Sequence, residues 1–276
     1  MRLIILFLLF YWLCDIHGQE YNMVVVTSQN KTAYGISDVD SVFFITTNRL
    51  PEFDCCLPGF VNPKLSLKGK KVAFFGDSIM KGYINGYDIT DYNFPYWLNI
   101  IFGFSYFSNY AVGGARFVKG DSKYKSVKEQ IEEIELSDYD VVFIAAGVND
   151  WFAGYDLDEF RSSFCQFLDF LWNKSSNGNQ FVFITPISCA INYFSIYKRY
   201  PVANLLAYSN IIIDNIRNHD IYEKSSVIRG DMFGFPETYQ QKELVDLMMS
   251  DKIHPTKLGY QTLYLSGFLD AFYRNK

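Results

Sequence analysis

Hydrophobic and polar positions follow two regimes along the chain. From residue 70 onward, short continuous apolar runs alternate with longer stretches in which apolar residues recur every three or four positions. Val72-Ala73-Phe74-Phe75, Val141-Val142-Phe143-Ile144-Ala145 and Phe181-Val182-Phe183-Ile184 predict buried strands. Residues 105–110 and Ser226-Val227-Ile228 predict weaker ones. Stretches 125–136, 157–172, 202–217 and 257–273 predict amphipathic helices. Near-continuous apolar strands alternating with helices mean a parallel sheet covered on both faces.

Before residue 70 the pattern changes. Met23-Val24-Val25-Val26-Thr27 and Val42-Phe43-Phe44-Ile45-Thr46 read as strands separated by turn residues, followed by Pro51, Pro58 and Pro63. Residues 19–68 therefore read as a short β-rich N-terminal extension packed on a main domain of residues 69–276. Some fifty residues bury too little surface to stand securely alone.

The first residues are Met1-Arg2 and an apolar run from Leu3 to Leu13. One positive charge, a short apolar core and small Gly18 fit a secretory signal peptide, residues 1–18, cut after Gly18. The run falls short of the roughly 20 residues a bilayer span needs. An uncleaved anchor is the alternative. The expected location is secreted or extracytoplasmic, with no stable membrane span once the leader is gone.

Charge narrows the partners. The 25 Lys+Arg and 30 Asp+Glu leave a net charge of −5, which argues against a nucleic-acid-gripping protein. Aromatic residues are abundant, but their number alone marks no binding face. Removing the leader leaves Cys55, Cys56, Cys165 and Cys189, enough for two disulfides with three pairings. Cys55 and Cys56 are adjacent, so at least one is expected to reach Cys165 or Cys189; free buried thiols are the alternative. Asn30-Lys31-Thr32 and Asn173-Lys174-Ser175 are glycosylation triplets in a eukaryotic secretory pathway.

In an open α/β sheet, ligands bind beyond the carboxyl ends of the strands. There the chain reads Gly76-Asp77-Ser78-Ile79, a tight turn exposing a hydroxyl. Next come Asn109-Tyr110-Ala111-Val112-Gly113-Gly114, Gly147-Val148-Asn149-Asp150 and, before the last helix, Asp251-Lys252-Ile253-His254-Pro255. Asp and His three apart can set the carboxylate against one imidazole nitrogen and leave the other free. After leader removal only His219 and His254 remain, and His219 reads as a solvated or capping residue at a helix end. Each block alone is a common turn or cap; the four together, in this order, carry the signal.

These blocks resemble the SGNH/GDSL hydrolase family. Gly76-Asp77-Ser78 matches the first block, with Ile79 where Leu is usual. Asn109 with Gly114, Gly147-x-Asn149-Asp150 and Asp251-x-x-His254 match the others. The resemblance implies a three-layer α/β/α, flavodoxin-like fold with a mostly parallel sheet of about five strands. It implies Ser78 as nucleophile, His254 as base and Asp251 as its orienting carboxylate. The Ser78 and Gly114 N–H groups and the Asn149 side chain would form the oxyanion hole. By their place after the third block, Trp151 and Phe152 either line an acyl or leaving-group pocket or simply pack, and Asp77 and Asp150 read as loop-bracing residues rather than catalytic acids. The implied activity is hydrolysis of short acyl esters, acetyl among them, on carbohydrate or lipid. The implied partner is an acyl-ester substrate such as an acetylated glycan, with no cofactor and no metal. Transfer of the acyl group to a glycan hydroxyl, and non-catalytic glycan binding on the same fold, are the alternatives.

Overall fold

The computed structural model describes residues 22–26, 31–35, 57–118, 124–187, 202–233, 246–251 and 253–274. Residues 1–44 and 45–276 form two compact units. In the first, β1 (Asn22–Val26) pairs antiparallel with β2 (Lys31–Gly35). The strand read at 42–46 lies outside the described residues.

The second unit is an α/β domain. Its strands are β3 (Lys71–Gly76), β6 (Tyr106–Asn109), β7 (Val141–Ala145), β8 (Gln180–Ile184) and β9 (Ser225–Ile228). They form one parallel sheet in the order β6-β3-β7-β8-β9, flanked by helices. This is the SGNH hydrolase fold that the sequence implies. A small hairpin, β4 (Tyr83–Ile84) with β5 (Tyr87–Asp88), follows the first helix.

Burial explains which strands are easy to read. Every residue of β7 is buried, as expected for a central parallel strand. At one edge β6 leaves Tyr106 54% exposed, so its pattern is weak. At the other edge β9 is wholly buried because the chain before β3 covers it. There Phe60 and Val227 exchange backbone hydrogen bonds of 2.9 and 2.7 Å, and Val61, Leu65 and Leu67 are buried. The outer strand is thereby spared an open edge.

The helices are α1 (Ser78–Lys81), α2 (Phe94–Phe102), α3 (Val127–Glu132), α4 (Val148–Ala153), α5 (Leu157–Lys174) and α6 (Val202–Arg217). The C-terminal run comprises α7 (Lys257–Gly259), a π-helical segment (Tyr260–Leu265) and α8 (Ser266–Arg274). The stretch 94–102 contains no charged residue and is apolar almost throughout. It is helical for local reasons: the Asn93 side chain accepts the Tyr96 N–H, Pro95 sits in the first turn, and Gly103 closes the helix left-handed. Aromatic rings fill much of the core. Phe74 stacks on Phe143 at 4.9 Å, and Phe143 meets Phe268 of α8 at 6.0 Å. Among the described residues no helix is long and apolar enough to cross a membrane.

Candidate active site

The site lies where β3, the loop after β6, and β7 end side by side. At the end of β3, Gly76 has φ +155°, and a Cβ there would stand 2.1 Å from the Ala145 carbonyl oxygen. Only glycine lets the two strand ends approach so closely. Gln130 of α3 clamps the same glycine: its amide oxygen accepts the Gly76 N–H at 3.1 Å and its NH2 donates to the Gly76 carbonyl at 2.9 Å. Asp77 then caps α1, accepting the Ile79 N–H at 2.9 Å. The backbone is thus fixed on both sides of Ser78. Burial pushes the Asp77 carboxyl up to about 6, against the Ile79 N–H bond and the charge of His254.

The second block follows β6. The Val112 N–H donates to the Gly76 carbonyl, and the Ala115 N–H closes a four-residue turn on Val112. Gly114 takes φ +78°, with the Tyr124 ring where a Cβ would be. A Cβ on Gly113 would sit 3.8 Å from that of Ser78, so the turn lies against the hydroxyl-bearing residue. Asn109 ties the loop to α1, its NH2 donating to Met80 at 3.0 Å and its oxygen accepting the Ala111 N–H.

The third block opens α4. Asn149 donates to the Ala115 carbonyl at 3.2 Å. Asp150 is buried, and its two oxygens accept the Phe117 and Val118 N–H groups. Burial pushes its carboxyl up to about 7, against those bonds and the nearby Arg116 charge. Trp151 is buried and packs on half-exposed Phe152 at 4.8 Å.

The fourth block brings the imidazole. Asp251 Oδ1 accepts the Ile253 and His254 backbone N–H groups at 2.9 and 3.0 Å. Its Oδ2 lies 2.7 Å from His254 Nδ1, and His254 Nε2 lies 2.8 Å from Ser78 Oγ. Partial burial acts to raise the Asp251 carboxyl, but the hydrogen bonds from the His254 side chain and from the two backbone amides outweigh it and bring it to about 2. The loop is pinned beyond the site. The Met249 N–H donates to the His254 carbonyl and the Thr256 N–H to Leu247. Tyr83 of the hairpin lays its ring 4.7 Å from the imidazole, and Tyr260 of the π segment donates to the Ile79 carbonyl at 2.8 Å.

Sequence reading picks out Ser78, Asp251, His254, Gly114 and Asn149; the structure links the first three by hydrogen bonds, lays the Gly113-Gly114 turn against Ser78 and ties Asn149 to Ala115 at the end of that turn. Sequence reading misses Gln130, Tyr83 and Tyr260. Gln130 and Tyr260 bond to backbone, which no residue pattern announces, and Tyr83 sits on a hairpin of two-residue strands. His219 is the capping residue expected: its Nδ1 accepts the Ile221 N–H at 3.0 Å. Cys165 is a free thiol that donates to Asn215 at 2.9 Å, so of the two expected disulfide partners of Cys55 and Cys56 it is not one. Cys55, Cys56 and Cys189 lie outside the described residues. Asn173 is exposed near the end of α5.

The model of the GDSL-like Lipase/Acylhydrolase family matches residues 74–262. No curated protein matches the chain in sequence. Solved structures do match in fold. An acetylxylan esterase, Axe2 from Geobacillus stearothermophilus, is 18% identical with a TM-score of 0.52, over 75% of this chain and 96% of that one. TesA is 17% identical with a TM-score of 0.52, over 75% and 99%. A protein from Lactobacillus plantarum is 18% identical with a TM-score of 0.56, over 76% and 98%. At such identities the likeness is one of fold, and the family match rests on the sequence itself. The chain belongs to the GDSL-like lipase/acylhydrolase family.

Proposed function

We propose that the protein is a serine esterase that hydrolyses short acyl esters, acetyl esters on carbohydrate among them, through an acyl-enzyme. The observation that carries this is the unbroken chain Ser78–His254–Asp251, with links of 2.8 and 2.7 Å. An ionised carboxylate only accepts, so Asp251 fixes the ring hydrogen on Nδ1 and leaves the Nε2 lone pair facing the Ser78 hydroxyl. In the reaction, Ser78 Oγ attacks the acyl carbon and its proton passes to Nε2. The tetrahedral oxyanion is held by the N–H groups of Ser78 and Gly114 and by Asn149. One hydrogen of the Asn149 amide is engaged with Ala115, and the second is available to the oxyanion. The C–O bond then breaks and the leaving alcohol takes the proton from Nε2. Water, deprotonated by the same nitrogen, releases the acid and restores Ser78.

The family match supports a hydrolase, and the fold of Axe2, an acetylxylan esterase, supports the acyl-sugar choice. We further propose that residues 1–18 are a leader and that the protein is exported, to be checked by N-terminal sequencing of protein recovered from the medium. The decisive experiment is a panel of esters of rising acyl length, including acetylated polysaccharide. The expected result is acid release that falls with acyl length. No release from any ester would refute the reading.

A further inference from the structure

The proton relay makes no use of Asp150, yet the carboxyl group of this residue is 0% exposed. Burying a carboxylate is costly unless its oxygens are hydrogen-bonded. Here Oδ1 accepts the Val118 N–H at 2.9 Å and Oδ2 accepts the Phe117 N–H at 3.2 Å. Asp150 follows Asn149 directly in α4, and residues 117–118 lie just past the Gly113-Gly114 turn. Asn149 grips the same stretch through the Ala115 carbonyl. Two consecutive helix residues therefore hold residues 115–118 by three hydrogen bonds. The turn they fix is the one whose Gly113 stands against Ser78.

We propose that Asp150 is a positioning residue that keeps the Val112–Ala115 turn in register with Asn149, so that oxyanion donors from two different strand ends meet at one point. This rests on the esterase reading above. The geometry calls for two acceptor oxygens: among short side chains only a carboxyl group presents one to each of two backbone N–H groups. The amide of Asn would turn an NH2 toward one of them, donor against donor. Asp150 does not act as a cap of its own helix, because both oxygens reach out of α4 to another segment. The bonded N–H groups lie 32 and 33 residues away.

The test is steady-state hydrolysis of p-nitrophenyl acetate by the wild-type protein and by D150N, N149A and the double variant. D150N should lower kcat about 30-fold with KM changed less than about threefold, a fraction of what a whole oxyanion donor is worth. N149A should lower kcat about 100-fold. The double variant should lose at least about tenfold less than the product of the two, because misregister costs little once Asn149 is gone. Turnover of D150N within threefold of wild type, or losses that simply multiply, would overturn the positioning role while leaving the esterase reading intact. A wild-type protein without turnover would refute the esterase reading and this role with it. If D150N lacks a cooperative melt, D150E replaces it: the carboxylate is kept but displaced by a methylene. A drop in kcat of at least about tenfold with a cooperative melt is then expected, and wild-type kcat in D150E overturns the proposal.

Discussion

Two histidines in this molecule each face an aspartate, and only one is arranged to act as a base. His219 precedes a short turn at residues 220–224, with Nε2 3.2 Å from Asp169 and Nδ1 accepting the Ile221 N–H. Its lone pair is spent on the backbone, and its ring hydrogen points at the carboxylate. His254 reverses the assignment. Asp251 takes the Nδ1 hydrogen, and the Nε2 lone pair is left for Ser78 at 2.8 Å. A His–Asp contact alone is therefore uninformative; what matters is which nitrogen the backbone has already claimed.

The largest effects should fall on the His254 side. S78A and H254A should each lower kcat on a short acyl ester by about 10⁴-fold or more, with cooperative melting retained. Wild-type turnover in either variant would erase the distinction between the two histidines. D251N comes next. It keeps the shape but can present an NH2 to the ring, favouring the wrong tautomer, so kcat should fall about 10³–10⁴-fold. A loss under tenfold would mean that the 2.7 Å contact does not set the ring hydrogen.

The same contrast shows what is readable in the chain. His254 stands out in the sequence because Asp-x-x-His precedes a helix and three other blocks stand at strand ends in order. The central strands are readable because they are buried on both faces. The α2 helix is not, since a short, nearly all-apolar run reads equally as a buried strand or a helix. Nor are Gln130 or Tyr260, whose partners are backbone groups more than 50 residues away. Such contacts exist only after the strands have come together. Of the two aromatic residues after the third block, read as pocket-lining or packing, the structure buries Trp151 and leaves Phe152 half-exposed.

A second contrast, between carboxylates, gives an intermediate effect. Asp251 is half-exposed and pulled down to about 2 by hydrogen bonds from His254 and the backbone, which outweigh burial; Asp77 is buried and pushed up to about 6. A carboxyl raised by folding is bound to its proton more tightly in the folded state. Its contribution to stability therefore falls as pH rises from about 4 through about 6, and stays low above. D77N keeps the acceptor for the Ile79 N–H but carries no charge. Relative to D77N, wild type should lose about 2–3 kcal/mol between pH 4 and pH 7.5, at 1.36 kcal/mol per pKa unit. Urea melts of both proteins at the two pH values measure it. A difference that does not change with pH would mean that Asp77 is not held neutral by its burial.

The smallest effect belongs to His219. If its work is to cap the turn at residues 220–224, H219A should cost about 1 kcal/mol of stability and leave kcat and KM within twofold. H219N, which offers a side-chain oxygen to the same Ile221 N–H, should recover most of that stability. The Asp169 contact is too exposed to add much, since that aspartate is 71% open to solvent. Thermal melts and ester turnover on the three proteins separate the outcomes. Equal melting of H219A and H219N would move the contribution of His219 from its Nδ1 acceptor to its other contacts, among them the edge of Trp172. Lost turnover in H219A would break the comparison itself, because the second imidazole would then matter to the chemistry.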